Sequence, residues 1–252
     1  MTIIIPMAGL SSRFSNAGYV LPKYMLYIRN RSLFNLAISS FNKYFDSCRF
    51  VFVARNVFDT KTFIEKECEL LGIKDFSVVI LPSPTAGQAE TVLKGIEGAN
   101  IPKNEPILIF NIDTIRPGFY FPNEISEWDG YLEVFVGSGK NWSYARTVSD
   151  DSTRVVETAE KKEISRYCST GLYYFRSVEL FETAYNLNLN TPRDGKKELY
   201  VAPLYNFLIN QEKVIHIHVI DRDDVIFSGV PDEYEQLLKN VYQNGQLIDS
   251  RI

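Results

Sequence analysis

Thr2-Ile-Ile-Ile-Pro-Met-Ala-Gly-Leu-Ser-Ser-Arg-Phe14, followed by Leu21-Pro-Lys-Tyr-Met-Leu26, is the stretch on which the fold is read. A short apolar, β-branched run predicts a buried strand. It breaks at once into the small residues Ala8, Gly9, Ser11 and Ser12, with Met7 and Leu10 among them. Arg13 and Lys23 follow. Small residues let backbone N–H groups approach a phosphate closely, and two cations neutralise its charge. The order strand, small-residue loop, arginine, lysine therefore predicts a triphosphate-binding loop over residues 7–13, with Lys23 as its second cation. The chain has no G-x-x-x-x-G-K-[ST] and no G-x-G-x-x-G, so neither common phosphate-loop fingerprint applies.

Outward from that loop, apolar runs alternate with helical patterns. Strands are predicted at 2–6, 50–54, 78–81 and 107–111. Helices are predicted at 32–45 (capped by Ser32), 59–71 (stopped by Gly72) and 87–97. This alternation predicts an α/β protein with a Rossmann-like, mixed but mainly parallel sheet flanked by helices. Its ligands sit at the carboxyl ends of the strands. After residue 120 the character changes. Strand-like segments at 131–137, 143–147, 154–157 and 170–175 follow one another closely. Helical stretches at 177–187 and 197–211, a strand at 214–220 and a helix at 232–243 complete the chain. The expected organisation is a single domain over 1–252. Residues 1–120 form a nucleotide-binding half and 121–252 a smaller, β-rich acceptor-binding half, with a soft boundary.

Composition narrows the function. The chain has 252 residues, 45% of them hydrophobic, which suits one large α/β unit. Its net charge of −4 gives no general polyanion-binding surface, so nucleic acid is an unexpected partner and any basic site must be local. Cys48, Cys68 and Cys168 are far apart, with no C-x-x-C, and His216 and His218 are the two histidines. A disulfide framework or structural zinc is not expected, and the histidines read as a solvated strand face. No leader-like segment precedes Thr2 and no apolar run reaches the length of a membrane span, so the expected location is the cytoplasm, without membrane contact. Oligomeric state is left open.

The opening resembles that of the nucleoside-diphosphate-sugar pyrophosphorylases, or sugar-phosphate nucleotidyltransferases, whose pattern is A-G-x-G-S/T-R followed by P-K. Ser11 stands at the second glycine of that pattern. Further stretches match the family in order. Pro82-Ser-Pro-Thr-Ala-Gly-Gln-Ala89 resembles its base- and ribose-packing loop, which implies nucleotide contacts from Leu81, Ser83, Thr85, Ala86, Gly87 and Gln88. Many relatives carry a pyrimidine-reading glutamine where Leu81 stands. Asn111-Ile-Asp-Thr114 resembles the segment with the metal-binding aspartate, which implies that Asp113 holds Mg²⁺, or Mn²⁺ in its place.

Trp142-Ser-Tyr-Ala145, Val156-Glu-Thr-Ala-Glu-Lys-Lys162 and Ser169-Thr-Gly-Leu-Tyr-Tyr-Phe175 resemble the acceptor lobe. They imply acceptor contacts from Tyr144, Glu160, Thr170 and Gly171, with Lys161 on the acceptor phosphate. Glu198-Leu-Tyr-Val-Ala-Pro-Leu-Tyr205 implies that Glu198 closes the pocket. Many relatives end in Trp-x-Asp-x-Gly-Thr-Pro. Here Val225-Ile-Phe-Ser-Gly-Val-Pro231 puts Phe227 at the aspartate, so either Asp113 and phosphates serve the metal alone or a nearby acid such as Asp223 or Asp224 substitutes.

The flavour is that of a capsule-associated subgroup, and the family includes cytidylyltransferases acting on phosphocholine or phosphoglutamine. The resemblance implies transfer of NMP from an NTP, CTP favoured, to a phosphorylated small metabolite, with Arg13, Lys23 and Lys161 as catalytic cations and a role in capsule or surface polysaccharide synthesis. Two other readings stay open. A non-catalytic nucleotide-binding regulator is suggested by Phe227. A nucleotide-sugar-dependent glycosyltransferase shares the architecture but usually has a D-x-D triplet. The nearest acids here are Asp221-Arg-Asp223, Asp150 and Asp151, and none follows an early strand.

Overall fold

A computed structural model describes residues 1–191 and 198–244. β1 (Thr2–Pro6) runs through the middle of the sheet, and its three isoleucines are fully buried, as a parallel strand covered on both faces requires. The chain then passes through the small-residue loop into a short helix, α1 (Ser12–Asn16). A 3-10 turn (Lys23–Met25) and a two-stranded ribbon, β2 (Tyr27–Ile28) with β3 (Arg31–Ser32), follow.

Ser32 caps α2 (Leu33–Ile38), its hydroxyl accepting the Asn35 N–H at 2.9 Å. The helix predicted over 32–45 is not continuous. Residues Ser39–Tyr44 are 3-10, and Phe41 leaves helical geometry at φ −102°. The Phe41 ring is fully buried and meets Phe110 and Phe119 edge to face, with ring centroids 4.8 Å and 4.9 Å away, so core packing overrides the helical pattern.

β4 (Arg49–Arg55), α3 (Thr60–Leu71), β5 (Phe76–Leu81), α4 (Gln88–Gly98) and β6 (Ile107–Phe110) complete the parallel part. Gly72 ends α3 in the left-handed conformation at φ 75°, as a C-capping glycine does. β1 pairs with both β4 and β6, and β5 with β4, all parallel. Their carboxyl ends therefore open at one edge of the sheet.

The second half adds β7 (Thr114–Ile115), β8 (Gly130–Val136), β9 (Ser143–Thr147), β10 (Val155–Glu160) and β11 (Tyr167–Phe175). α5 (Val178–Leu189), α6 (Tyr205–Ile209), β12 (Ile215–Ile220), β13 (Ile226–Phe227) and α7 (Pro231–Asn244) follow. The main sheet runs β10-β9-β11-β6-β1-β4-β5, with β8 on β11 and β12 on β8. β11 is buried along its whole length and joins β6 antiparallel, so one sheet continues across residue 120. β13 and β7 form a separate antiparallel ribbon, with Phe227 opposite Thr114. The architecture is the predicted mixed, mainly parallel sheet flanked by helices.

Two expectations change. The helix read over 197–211 begins at a residue outside the described ones, and Glu198–Tyr200 are not helical. The Leu199 N–H donates to Ala86 O at 2.9 Å, and its carbonyl accepts from Ala89 N at 2.8 Å, so the backbone is committed to the 86–89 loop. Helical geometry starts at Ala202. The two histidines do not make a solvated face. His216 stacks on Trp128 at 4.8 Å, His218 meets Tyr120 edge-on at 5.6 Å, and burial lowers both pKa values. The three cysteines are free and buried, and burial pushes the Cys68 thiol up to about 12, which makes it unreactive.

Candidate active site

The loop after β1 is held from beneath. Met7 N donates to Val53 O at 2.8 Å, and the Arg55 guanidinium, at the end of β4, donates to Ala8 O at 2.9 Å and Gly9 O at 3.3 Å. With its carbonyls turned onto Arg55, the loop keeps its other face for a ligand. Arg55 carries no local pattern that marks it in the sequence. Only its strand-end position opposite Leu81, across the β4–β5 ladder, is a signal.

Ser11 lies at φ 51°, ψ 30°, in the left-handed region. This explains why a glycine fits the position, and why a small residue is the tolerated alternative. Ser11→Gly is expected to keep the native stability to within about 1 kcal/mol. Ser11→Val is expected to lose about 1–2 kcal/mol, read by denaturant unfolding.

Beyond the loop lies a cavity of about 380 Å³ at the carboxyl ends of β1 and β6. Met7, Gly9, Ser11, Arg13 and Lys23 contribute to its lining. The Lys23 ammonium sits 2.5 Å from Asp113 Oδ2. Asp113 is fixed by its main chain, since its carbonyl accepts from Ser228 N at 2.9 Å and Ser228 Oγ at 3.1 Å. Gln88 reaches the wall and donates to Asn111 Oδ1.

Other residues expected to bind nucleotide are set back. Leu10 lines a smaller adjoining hollow, and Ser12 starts α1. Leu81 is buried in the core, and Ser83 is exposed. Thr85, Ala86 and Gly87 shape the loop rather than the cavity wall. Thr85 Oγ1 donates to Gly87 O at 3.0 Å, and a Cβ on Gly87 (φ 152°) would collide with the Leu199 backbone.

Glu160, Thr170, Gly171 and Glu198 line the same cavity, joined by Ser143, Tyr173 and Tyr200. Ser143 Oγ donates to Glu160 Oε2. Burial raises the Glu160 pKa, with Glu198 adding repulsion and Ser143 and Lys161 pulling the other way.

Lys161, at φ 57°, does not line the cavity. Its ammonium bonds Tyr200 OH at 2.5 Å and lies 3.9 Å from Glu160 Oε1. Burial works against its charge, but Tyr200, Glu160 and Glu198 outweigh it and the net shift is upward. Tyr200 OH in turn donates to Glu198 Oε2 at 2.5 Å. Tyr144 is fully buried with its hydroxyl on Gly139 O at 2.5 Å, so it stands behind the wall. Trp142 supplies the aromatic surface instead, its ring 4.6 Å from that of Phe227.

Asp223 and Asp224 lie on an exposed 3-10 turn and do not line the cavity. A nearby acid that does line it is Glu233, in the first turn of α7, whose Oε2 accepts from Gly229 N at 2.7 Å and Val230 N at 3.2 Å. Its sequence setting, Val230-Pro-Asp-Glu233, reads simply as a helix start, which is why sequence reasoning passed over it.

No helix among the described residues is long and apolar enough to cross a membrane. No protein-family model and no curated protein matches the chain. Among solved structures, a UDP-glucose pyrophosphorylase in its apo form matches at TM-score 0.73 and 15% identity, covering 97% of this chain and 99% of that one. An inositol-1-phosphate CTP transferase from T. maritima matches at TM-score 0.69 and 14% identity, covering 96% of each. These two likenesses carry the fold alone. A nucleoside-diphosphate-sugar pyrophosphorylase from Vibrio cholerae RC9 matches at TM-score 0.91 and 48% identity, over 94% of this chain and 99% of that one. At that identity over nearly the full length of both chains, the protein belongs to the nucleoside-diphosphate-sugar pyrophosphorylase family and is a nucleotidyltransferase.

Proposed function

We propose that the protein transfers NMP from an NTP, CTP first among candidates, to a phosphorylated small metabolite, releasing pyrophosphate. The acceptor is a sugar 1-phosphate or a phosphorylated amino acid or amino alcohol. The carrying observation is that one cavity is lined both by the loop with Arg13 and Lys23 and by Glu160, Gly171 and Glu198. In this reading residues 1–120 bind the nucleotide and 121–252 the acceptor, in a cytoplasmic enzyme that supplies capsule or surface polysaccharide synthesis.

In the reaction an acceptor-phosphate oxygen attacks the α-phosphorus. The new P–O bond forms as the bond from the α-phosphorus to the β-phosphate's bridging oxygen breaks, and pyrophosphate leaves with the electron pair. The acceptor phosphate is already anionic near neutral pH, so no general base is required. The chain's task is to align two anions and stabilise spread charge. Arg13 grips the β- and γ-phosphates. Lys23 moves from Asp113 to the α-phosphate when the ligand arrives. Lys161 keeps Tyr200 and the two glutamates in place and turns its ammonium to the acceptor phosphate.

Mg²⁺ fits this site by its donor chemistry. Asp113 offers a hard oxygen at the triphosphate end, and the described residues contain no group of three His, Cys, Asp or Glu side chains that would favour an all-protein metal cage. Bound there, the ion would neutralise phosphate charge in the transition state. The preference for CTP rests on the departure from the family's glutamine at Leu81 and on the resemblance to the capsule-associated subgroup.

The test is the melting temperature with Mg²⁺ and each of CTP, UTP, dTTP, GTP and ATP. A ligand at about a hundred times its Kd adds roughly 2.7 kcal/mol to stability. One strong responder names the donor, and pyrophosphate release then screens acceptors. No response to any triphosphate overturns the proposal.

Acceptor binding is also expected to weaken in mild acid. The raised Glu160 pKa means that this carboxylate protonates above the ordinary glutamate range as pH falls. The acceptor KM should therefore rise as pH falls from neutral, before ordinary glutamates take up a proton. Glu160→Gln should raise KM at all pH values and flatten that dependence.

A further inference from the structure

The Tyr200 hydroxyl is committed twice. It donates to Glu198 Oε2 at 2.5 Å and accepts from the Lys161 ammonium at 2.5 Å. A phenol has one proton to give, and the carboxylate takes it, so an oxygen lone pair is what holds the lysine. The same ammonium lies 4.6 Å from the Tyr200 ring centroid and 3.9 Å from Glu160 Oε1. The contacts therefore run in a chain from Glu160 through Lys161 and Tyr200 to Glu198. Tyr200 and the two glutamates line the cavity, and Lys161 does not.

The lysine needs such a partner. It follows β10 in the left-handed conformation, φ 57°, with its N–H on Trp142 O at 2.9 Å. That backbone sets only where the side chain starts. The side chain is 46% exposed, and a long flexible stem has much rotamer freedom to lose before its charge can point one way. Tyr200, by contrast, is anchored. Its neighbour Leu199 donates to Ala86 O at 2.9 Å and accepts from Ala89 N at 2.8 Å, so close that Gly87 has no room for a Cβ. The tyrosine thus reaches the lysine from a segment fixed on the 86–89 loop.

We infer that Tyr200 is a positioning residue, whose hydroxyl holds the Lys161 ammonium beside the cavity until an acceptor phosphate takes it over. The neutral character of the hydroxyl makes the exchange favourable. A charged phosphate attracts an ammonium more strongly than a phenol does, whereas a carboxylate in direct contact would compete with it charge for charge. The exchange rests on the nucleotidyl-transfer reading. The hold of Tyr200 on Lys161 does not.

Tyr200→Phe removes the hydroxyl and keeps the ring, so the packing and the ammonium–ring contact survive. Its melting temperature is expected to stay close to wild type. The first readout needs no turnover. Acetic anhydride labels free amines in the full-length protein, with the exposed Lys140 as the internal reference. Lys161 is expected to label about threefold faster or more in Tyr200→Phe, with Lys140 unchanged. The second readout is pyrophosphate release with glucose 1-phosphate and with phosphocholine as acceptors. The acceptor KM is expected to rise about tenfold or more, with kcat and the triphosphate KM unchanged. In a Lys161→Met background, Tyr200→Phe should add nothing further, because it acts through the lysine.

Equal labelling of Lys161 in wild type and Tyr200→Phe would overturn the inference. So would an unchanged acceptor KM, or a KM effect that persists undiminished in Lys161→Met. Faster labelling in Tyr200→Phe, beside a wild type that shows no melting shift with any triphosphate and no pyrophosphate release, would support the hold on Lys161 and fault the transfer reading instead.

Discussion

Lys23→Ala is expected to lower the rate of pyrophosphate release by about a hundredfold or more while the fold survives. In the free protein the Lys23 ammonium pairs with Asp113, and the two side chains are 21% and 25% exposed. A partly exposed pair of this kind contributes about 1 kcal/mol or less. The loss in turnover is larger because the same charge is needed where negative charge spreads in the transition state. A structural role for Lys23 would lower the melting temperature together with turnover. Turnover near wild type in Lys23→Ala would remove Lys23 from the catalytic set.

The central strand, its loop and the order of the parallel elements are legible in the sequence because each is a local pattern. An apolar run is bounded by small residues, Ser32 stands before a helical period, and Gly72 stands after one. Asp113 is legible for the same reason, as an acid at the end of an apolar strand. What could not be read depends on contacts distant in sequence. Tyr144 stands beside cavity residues in sequence, but its hydroxyl is taken by Gly139 O behind the wall. Residues 198–200 continue an apolar pattern that suits a helix, but Leu199 bonds a loop more than a hundred residues earlier. Arg55 and Glu233 carry ordinary local readings, a strand end and a helix start. Their position at the site appears only once β4 lies beside β1 and α7 lies over β7. Glu133 reads as one more alternating residue of a strand, yet its partner is on another ribbon.

That last residue carries the largest stability effect expected in the molecule. Arg116 and Glu133 are both buried, with Arg116 Nε 3.1 Å from Glu133 Oε1. Arg116 follows β7 directly and also donates to Asp224 O at 3.2 Å and Pro117 O at 3.1 Å, so it ties the β7–β13 ribbon to β8. Thr170 Oγ1, from the cavity floor, donates to the same Glu133 oxygen at 3.1 Å. Among the described residues the other oxygen, Oε2, has no hydrogen-bond partner, nor do Tyr131 OH and His218 Nε2 on the adjoining register.

Arg116→Met would leave this carboxylate buried with Thr170 as its donor. Breaking a buried pair from one side costs about 3–5 kcal/mol, or roughly 10 °C of melting temperature in a chain of this size. Glu133 has a pKa raised by burial, which the Arg116 charge partly offsets. A carboxyl raised in the folded state stabilises most below its unfolded pKa, and that stability is lost as pH rises toward the folded value. Removing Arg116 raises the folded value further, so the loss extends to higher pH. The deficit of Arg116→Met should therefore be greatest at neutral and alkaline pH and shrink at mildly acidic pH, as Glu133 takes up a proton. Adding Glu133→Leu should recover most of the loss at neutral pH, because the uncompensated charge is gone. Urea unfolding of the single and double variants at the two pH values measures both effects. A deficit independent of pH, or one that Glu133→Leu deepens, would mean that Arg116 acts through its bonds to Pro117 and Asp224 rather than through the buried charge.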